Sequence, residues 1–189
     1  MALDILVLYG SYRRGRLGIR LADYLIRGFE SLGHSASLVD AKAVDLPMLD
    51  LRYSDYPAGE APATMAALAD RLAAADAFVF VAGEYNRGMQ PGLKNLVDHY
   101  LKEFDRRPAA IASYSAGRFA GVNSHADWTV TLSAMGMAVV PERLSVGQIG
   151  QTLDEQAVPQ GDGGAALERG FAGFADNLIW WAEAAKAKR

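Results

Sequence analysis

The chain contains no cysteine, which excludes a disulfide framework, a thiolate nucleophile and a cysteine-held metal site. Its three histidines, His34, His99 and His125, are scattered and show no metal-ligand spacing. No apolar run approaches the roughly 18 residues that a membrane helix needs. The N-terminus passes straight into LDILVLY, with no basic stretch and cleavage site before it. A soluble cytoplasmic protein with no membrane partner is the expectation. A formal net charge of -3 lacks the basic excess of a nucleic-acid binder, so nucleic acid is not an expected partner either. Two common phosphate fingerprints are also missing, because the loop GSYRRGRLG matches neither GxGxxG nor GxxxxGK followed by Ser or Thr.

What is present is enough apolar residue for a buried core: 51% of 189 residues are hydrophobic, which suits a single domain over 1–189. Non-alternating apolar runs at 5–9, 36–40, 77–82, 108–114 and 138–141 read as buried strands. Between them, apolar residues spaced by three and four predict helices. The first covers about 17–32, the second is marked by Met65, Leu68, Leu72 and Ala75, and the others cover about 91–104, 123–135 and 165 onward. In the last helix Leu167, Phe171, Phe174, Leu178 and Trp181 form the inward stripe, with Trp180 off it. His99 is expected to be solvated or subunit-facing, and 142–164 to be mostly loop. Alternating strands and helices of this kind predict an α/β, three-layer sandwich. Its five-stranded parallel sheet has the order 2-1-3-4-5, with helices on both faces. That order reverses direction between strands 1 and 3, where open sheets bind ligands at their carboxyl ends.

Three loops leave the sheet at that end: GSYRRGR, GEYNRGMQ and SYSAGRFAG. The first lies between a strand and a helix N-terminus, where free N–H groups favour an anion. Ser11 offers a hydroxyl, and Arg13, Arg14 and Arg16 offer forked donors suited to phosphate. In the second, Glu84, Tyr85, Asn86 and Arg87 place an acid, a phenol, an amide and a cation in consecutive positions. The third has small residues at Ser113, Ser115 and Gly117, which let backbone approach a flat ring, and Arg118 adds charge. A phosphate beside a planar heterocycle suggests a mononucleotide, and FMN suits the switch point best.

GSYR after the first strand, EYN followed by LKN and an acid after the third, and a Ser- and Gly-rich turn after the fourth carry a wider resemblance. The chain resembles the NAD(P)H-dependent FMN reductases of the flavodoxin-like fold, a group that includes chromate, azo and quinone reductases. The resemblance implies that Ser11, Arg13 and the turn through Gly15 and Gly18 hold the FMN phosphate. It implies that Gly83, Glu84, Tyr85, Asn86 and Arg87 line the isoalloxazine, while Ser113, Ser115 and Gly117 close its other side. Backbone N–H groups near the N1/O2 edge, assisted by Arg118 or Arg87, would stabilise the anionic reduced ring. Many relatives have Pro where Gly83 stands, and Ser and Asn where Arg16 and Gly18 stand, which puts the phosphate contacts of Arg14, Arg16 and Gly18 in question.

The activity implied is hydride transfer from NAD(P)H to flavin N5 and on to a small-molecule acceptor, with ping-pong kinetics and no catalytic side chain. A homodimer or homotetramer is implied too. The alternative is an FMN-binding electron-transfer module without NAD(P)H activity of its own. Electron carriers are usually acidic around the flavin, whereas these loops carry five arginines, Arg13, Arg14, Arg16, Arg87 and Arg118. An NAD(P) enzyme without flavin is disfavoured by the first loop.

Overall fold

A computed structural model describes residues 1–189. Along the chain run β1 (Asp4–Tyr9), α1 (Gly18–Ser31), β2 (Ser35–Asp40), α2 (Ala41–Val44), α3 (Ala63–Ala74), β3 (Ala77–Tyr85), β4 (Gly88–Met89) and α4 (Pro91–Asp98). They are followed by β5 (Pro108–Tyr114), α5 (Val122–Ala134), β6 (Ala138–Val139), β7 (Leu144–Val146), α6 (Ile149–Thr152) and α7 (Gly161–Lys186). The sheet order is β2-β1-β3-β5, parallel throughout, with β6 and β7 both on the far edge of β5. This is the flavodoxin-like arrangement expected from the strand pattern.

Successive strand residues alternate between two cores. Ile5, Val7, Val79, Val81, Ala110 and Ala112 face α1 and α7. Leu6, Leu8, Phe78, Phe80 and Ile111 face α3, α4 and α5, around the fully buried Trp128. Both faces of the central strands are therefore dry, which is why they read as continuous apolar runs.

Several expectations are corrected. With the short β4 paired antiparallel to β3, the sheet has seven strands, not five. The expected strand at 138–141 is cut after Val139, and a second short piece, β7, rejoins the same edge. Pro141 lies in the gap and has no N–H to donate to a ladder. The segment 142–164 is mostly irregular, as expected, but also carries the short strand β7 and the helix α6. The helix expected over 91–104 stops at Asp98, and a separate 3₁₀ turn covers Lys102–Phe104. His99 at that break is fully buried, with Nδ1 on the Asn95 carbonyl at 2.7 Å, so it faces neither solvent nor a subunit. Trp181 is 39% exposed and pairs edge-on with Trp180 at 5.1 Å, outside the core stripe. No helix is long and apolar enough to cross a membrane.

Candidate functional site

The carboxyl ends of β1, β3 and β5 open together at one rim, and the three polar loops surround it. β3 runs on past the sheet to Tyr85 and folds back as β4, so GEYNRGM is a hairpin and not an open loop. Its two central residues, Asn86 and Arg87, have φ of 49° and 68°. A two-residue hairpin with both central φ positive matches the natural strand twist, and Asn tolerates that conformation better than most residues.

A hollow of about 110 Å³ lies inside the rim, and Ser11, Arg13, Gly15, Arg16, Gly83, Glu84, Tyr85 and Ser115 contribute to its wall. The structure thus brings together residues from all three loops. Its first-loop side is suited to an anion. α1 begins at Gly18, its N-cap Leu17 offers no side-chain cap and its first turn holds no acid, and no protein acceptor takes the backbone N–H of Arg14, Gly15 or Arg16. An uncapped helix start with free N–H donors favours negative charge. Arg13 is exposed and is held over the Tyr85 ring at 5.9 Å. Ser11 Oγ and the Tyr85 hydroxyl share a 2.7 Å hydrogen bond across the first two loops.

Other expected site residues are engaged elsewhere. The Arg16 guanidinium forks onto both oxygens of Asp40 and onto the Ser11 carbonyl, so it ties the loop to the end of β2. Glu84 accepts the backbone N–H groups of Asn123 and Ser124 and so caps α5. Ser113 is fully buried, with Oγ 3.2 Å from Ser145 Oγ. The Ser115 hydroxyl donates to the Gly117 carbonyl at 2.8 Å, which also accepts the Gln148 N–H and pins the third loop to the chain after β7. Arg14, Gly18, Asn86, Arg87, Gly117 and Arg118 do not line the hollow.

Gly18 and Gly83 have a steric role. A Cβ on Gly18 would lie 2.1 Å from Tyr114 Cζ, and one on Gly83 would lie 2.4 Å from Gln90 Nε2. Tyr114 lines the hollow and Gln90 is buried beside it, yet neither stands out in the sequence. The available signal was position, since Tyr9 and Tyr114 end the two strands that flank β3, at the same rim.

A larger hollow of about 500 Å³ adjoins the first across Arg13 and Tyr85. Tyr12, Leu46, Met48, Pro91 and Asn95 also line it. The Tyr12 hydroxyl is tied to the Ala41 carbonyl at 2.7 Å, which leaves its ring face to the cavity. Asn95 holds the opposite wall: its Nδ2 donates to the Pro47 carbonyl at 2.8 Å and its Oδ1 accepts the Leu49 N–H at 2.9 Å.

Comparison with known proteins agrees with this geometry. Residues 3–151 match the family model described as NADPH-dependent FMN reductase. An NAD(P)H-dependent FMN reductase of Schizosaccharomyces pombe is 35% identical over 117 residues, covering 58% of this chain and 56% of that protein. A quinone reductase of Escherichia coli K12 is 31% identical over 126 residues, 63% of each chain. The chain therefore spans less than two thirds of the length of these relatives. Among solved structures, the flavoenzyme NAD(P)H:(acceptor) oxidoreductase FerB of Paracoccus denitrificans has the same fold. It superposes with a TM-score of 0.75 at 22% identity, over 96% of this chain and 98% of that one. By the match over 3–151, the chain belongs to the NADPH-dependent FMN reductase family.

Proposed function

We propose that residues 1–189 form a single FMN-binding domain that acts as an NAD(P)H-dependent oxidoreductase. The observation that carries this reading is the uncapped start of α1, with free N–H groups at 14–16 and Arg13 beside them, on the rim shared by β1, β3 and β5. Those groups suit a terminal phosphate, and the β3–β4 hairpin and the 115–117 turn suit the edges of a flat ring. FMN, when bound, supplies reversible hydride exchange at N5.

The protein supplies orientation and charge. Arg13 and the 14–16 N–H groups hold the phosphate, and the Ser11–Tyr85 hydroxyl pair sits between phosphate loop and hairpin. Arg87 and Arg118, exposed on the loops beside the hollow rather than in its wall, would stabilise negative charge on a bound flavin. No side chain acts as general acid or base. The apolar 500 Å³ hollow, walled by Tyr12 and Tyr85 rings, admits the flat ring of the second substrate. Reduced nicotinamide and the oxidised acceptor use this access in turn, which makes the kinetics ping-pong. The acceptor is a quinone, an azo compound, a metal oxyanion or free flavin; the Escherichia coli relative named quinone reductase supports the first. The rim arginines favour NADPH. Exposed Phe119 and Val122 beside the third loop fit a homodimer or homotetramer, and a cytoplasmic location fits a consumer of NAD(P)H.

The test is a titration of the purified chain with FMN, followed by anaerobic addition of NADPH. Saturable binding and bleaching of the flavin colour are expected. Binding without bleaching would make the chain an electron-transfer module, and no FMN binding would sink both readings.

A further inference from the structure

One buried tyrosine at the end of β5 packs against the start of α1, the end of β3 and the residue before α4, beside the smaller hollow. A Cβ on Gly18, the first residue of α1, would lie 2.3 Å from the Tyr114 hydroxyl, and one on Gly83 in β3 would lie 2.8 Å from its Cζ. The hydroxyl accepts the Gln90 Nε2–H at 2.8 Å inside the core. Beside it the Tyr9 ring stands 6.4 Å away, and Tyr9 donates to the Arg16 carbonyl at 3.2 Å. Burial first, and the Tyr9 phenol next, push the Tyr114 pKa well up, so its hydroxyl keeps its proton.

These contacts converge on backbone that carries the donors of the phosphate loop. Hydrogen bonds weaken steeply when the donor angle departs from linear, and bonds to a charged acceptor are the strong ones. A small rotation of α1's first turn therefore costs a phosphate ligand far more than a ligand without phosphate. A close-packed wedge resists such rotation because packed interiors have low compressibility.

We propose that Tyr114 is a positioning residue that, wedged against Gly18 and anchored by Gln90, holds the start of α1 in register for phosphate and so makes the site select FMN over riboflavin. The inference rests on the FMN reading and deepens it. It acts through backbone and needs no contact between Tyr114 and the flavin.

The test compares Kd for FMN and riboflavin, read from quenching of flavin fluorescence, in wild type, Tyr114→Phe and Tyr9→Phe, with melting curves to confirm folding. Tyr114→Phe keeps the ring and leaves the Gln90 amide unpaired. It should weaken FMN about tenfold and riboflavin by less than about twofold, as one lost buried hydrogen bond allows. Tyr9→Phe, which removes the bond to the Arg16 carbonyl together with the hydroxyl beside Tyr114 and Ser11, should shift selectivity the same way and stands in if Tyr114→Phe does not fold. Unchanged selectivity, or equal weakening of both ligands, would overturn the proposal. Wild type that binds riboflavin as tightly as FMN would also overturn it. Wild type that binds neither flavin would instead remove the FMN reading beneath it.

Discussion

Arg13 and Arg16 lie three positions apart in the same loop and have opposite surroundings. Arg13 is exposed over the Tyr85 ring, while Arg16 is locked onto the buried Asp40 carboxylate. Arg13→Ala should weaken FMN binding by about 1.5 to 3 kcal/mol, the range for hydrogen bonds to charged groups, and leave stability within about 0.5 kcal/mol. Arg16→Ala strips the cation from a carboxylate that is 8% exposed and should cost about 2 kcal/mol of stability in a urea melt. If the two effects were exchanged, the assignment of both arginines would be wrong. His125 makes a second prediction at this scale. It is buried, its Nδ1 has no partner, and burial followed by Arg143 pushes its pKa down. The unfolded chain, with a histidine pKa of about 6.5, then binds more protons than the folded one as pH falls through that value. Stability should be complete above about pH 6.5 and decline as pH falls toward the folded pKa. The urea midpoint should drop between about pH 7.5 and 5.5 in wild type and less in His125→Gln. Equal slopes in the two proteins would remove His125 as the source.

Among elements, the hairpin β3–β4 shows where local reading stopped. Its Asn86–Arg87 turn lacks the Asn-Gly or Asp-Gly pair that marks such turns, so the segment looked like open loop. The helix after it was legible from Pro91 and the spacing of Leu93, Leu96 and Val97, but its end at Asp98 was not. That end follows from tertiary contacts: His99 turns inward, and its carbonyl accepts the Tyr53 N–H at 2.8 Å from a distant connection. Asn95 on the same helix clamps the wall of the larger hollow through Pro47 and Leu49. Asn95→Ala should leave FMN affinity unchanged while raising the acceptor KM severalfold, because the 47–49 wall loses both hydrogen bonds. A KM equal to wild type for a bulky quinone would show that this hollow does not receive the acceptor.

Over the whole molecule, the sheet is closed at its amino end by a long-range cluster. Asp76, ahead of β3, accepts the Asp4 N–H at 3.0 Å, Lys186 Nζ at 2.7 Å and Arg189 Nη2 at 2.8 Å. Burial raises the Asp76 pKa, but these partners outweigh it and leave the net shift downward. A lowered carboxylate pKa gives stability that is present above the unfolded value of about 3.9 and lost as pH falls through the folded one. Asp76→Asn should therefore cost about 2 kcal/mol at neutral pH and flatten acid unfolding below about pH 4. An unchanged acid transition would place the linkage elsewhere.

Strand runs, helix periods and their alternation are properties of neighbouring residues, so β1, β3 and β5 and the 2-1-3 switch point followed from the amino-acid order alone. The glycine- and arginine-rich loops followed too, because polar turns at strand ends need no distant partner to be recognised. Pairings across tens of residues did not follow: Arg16 with Asp40, Glu84 with the start of α5, Tyr114 against Gly18 and Gly83. Only the folded chain decides which donors are consumed by the protein and which stay open to a ligand. Such bonds depend on atoms brought together by packing, and that proximity has no local signature in the sequence.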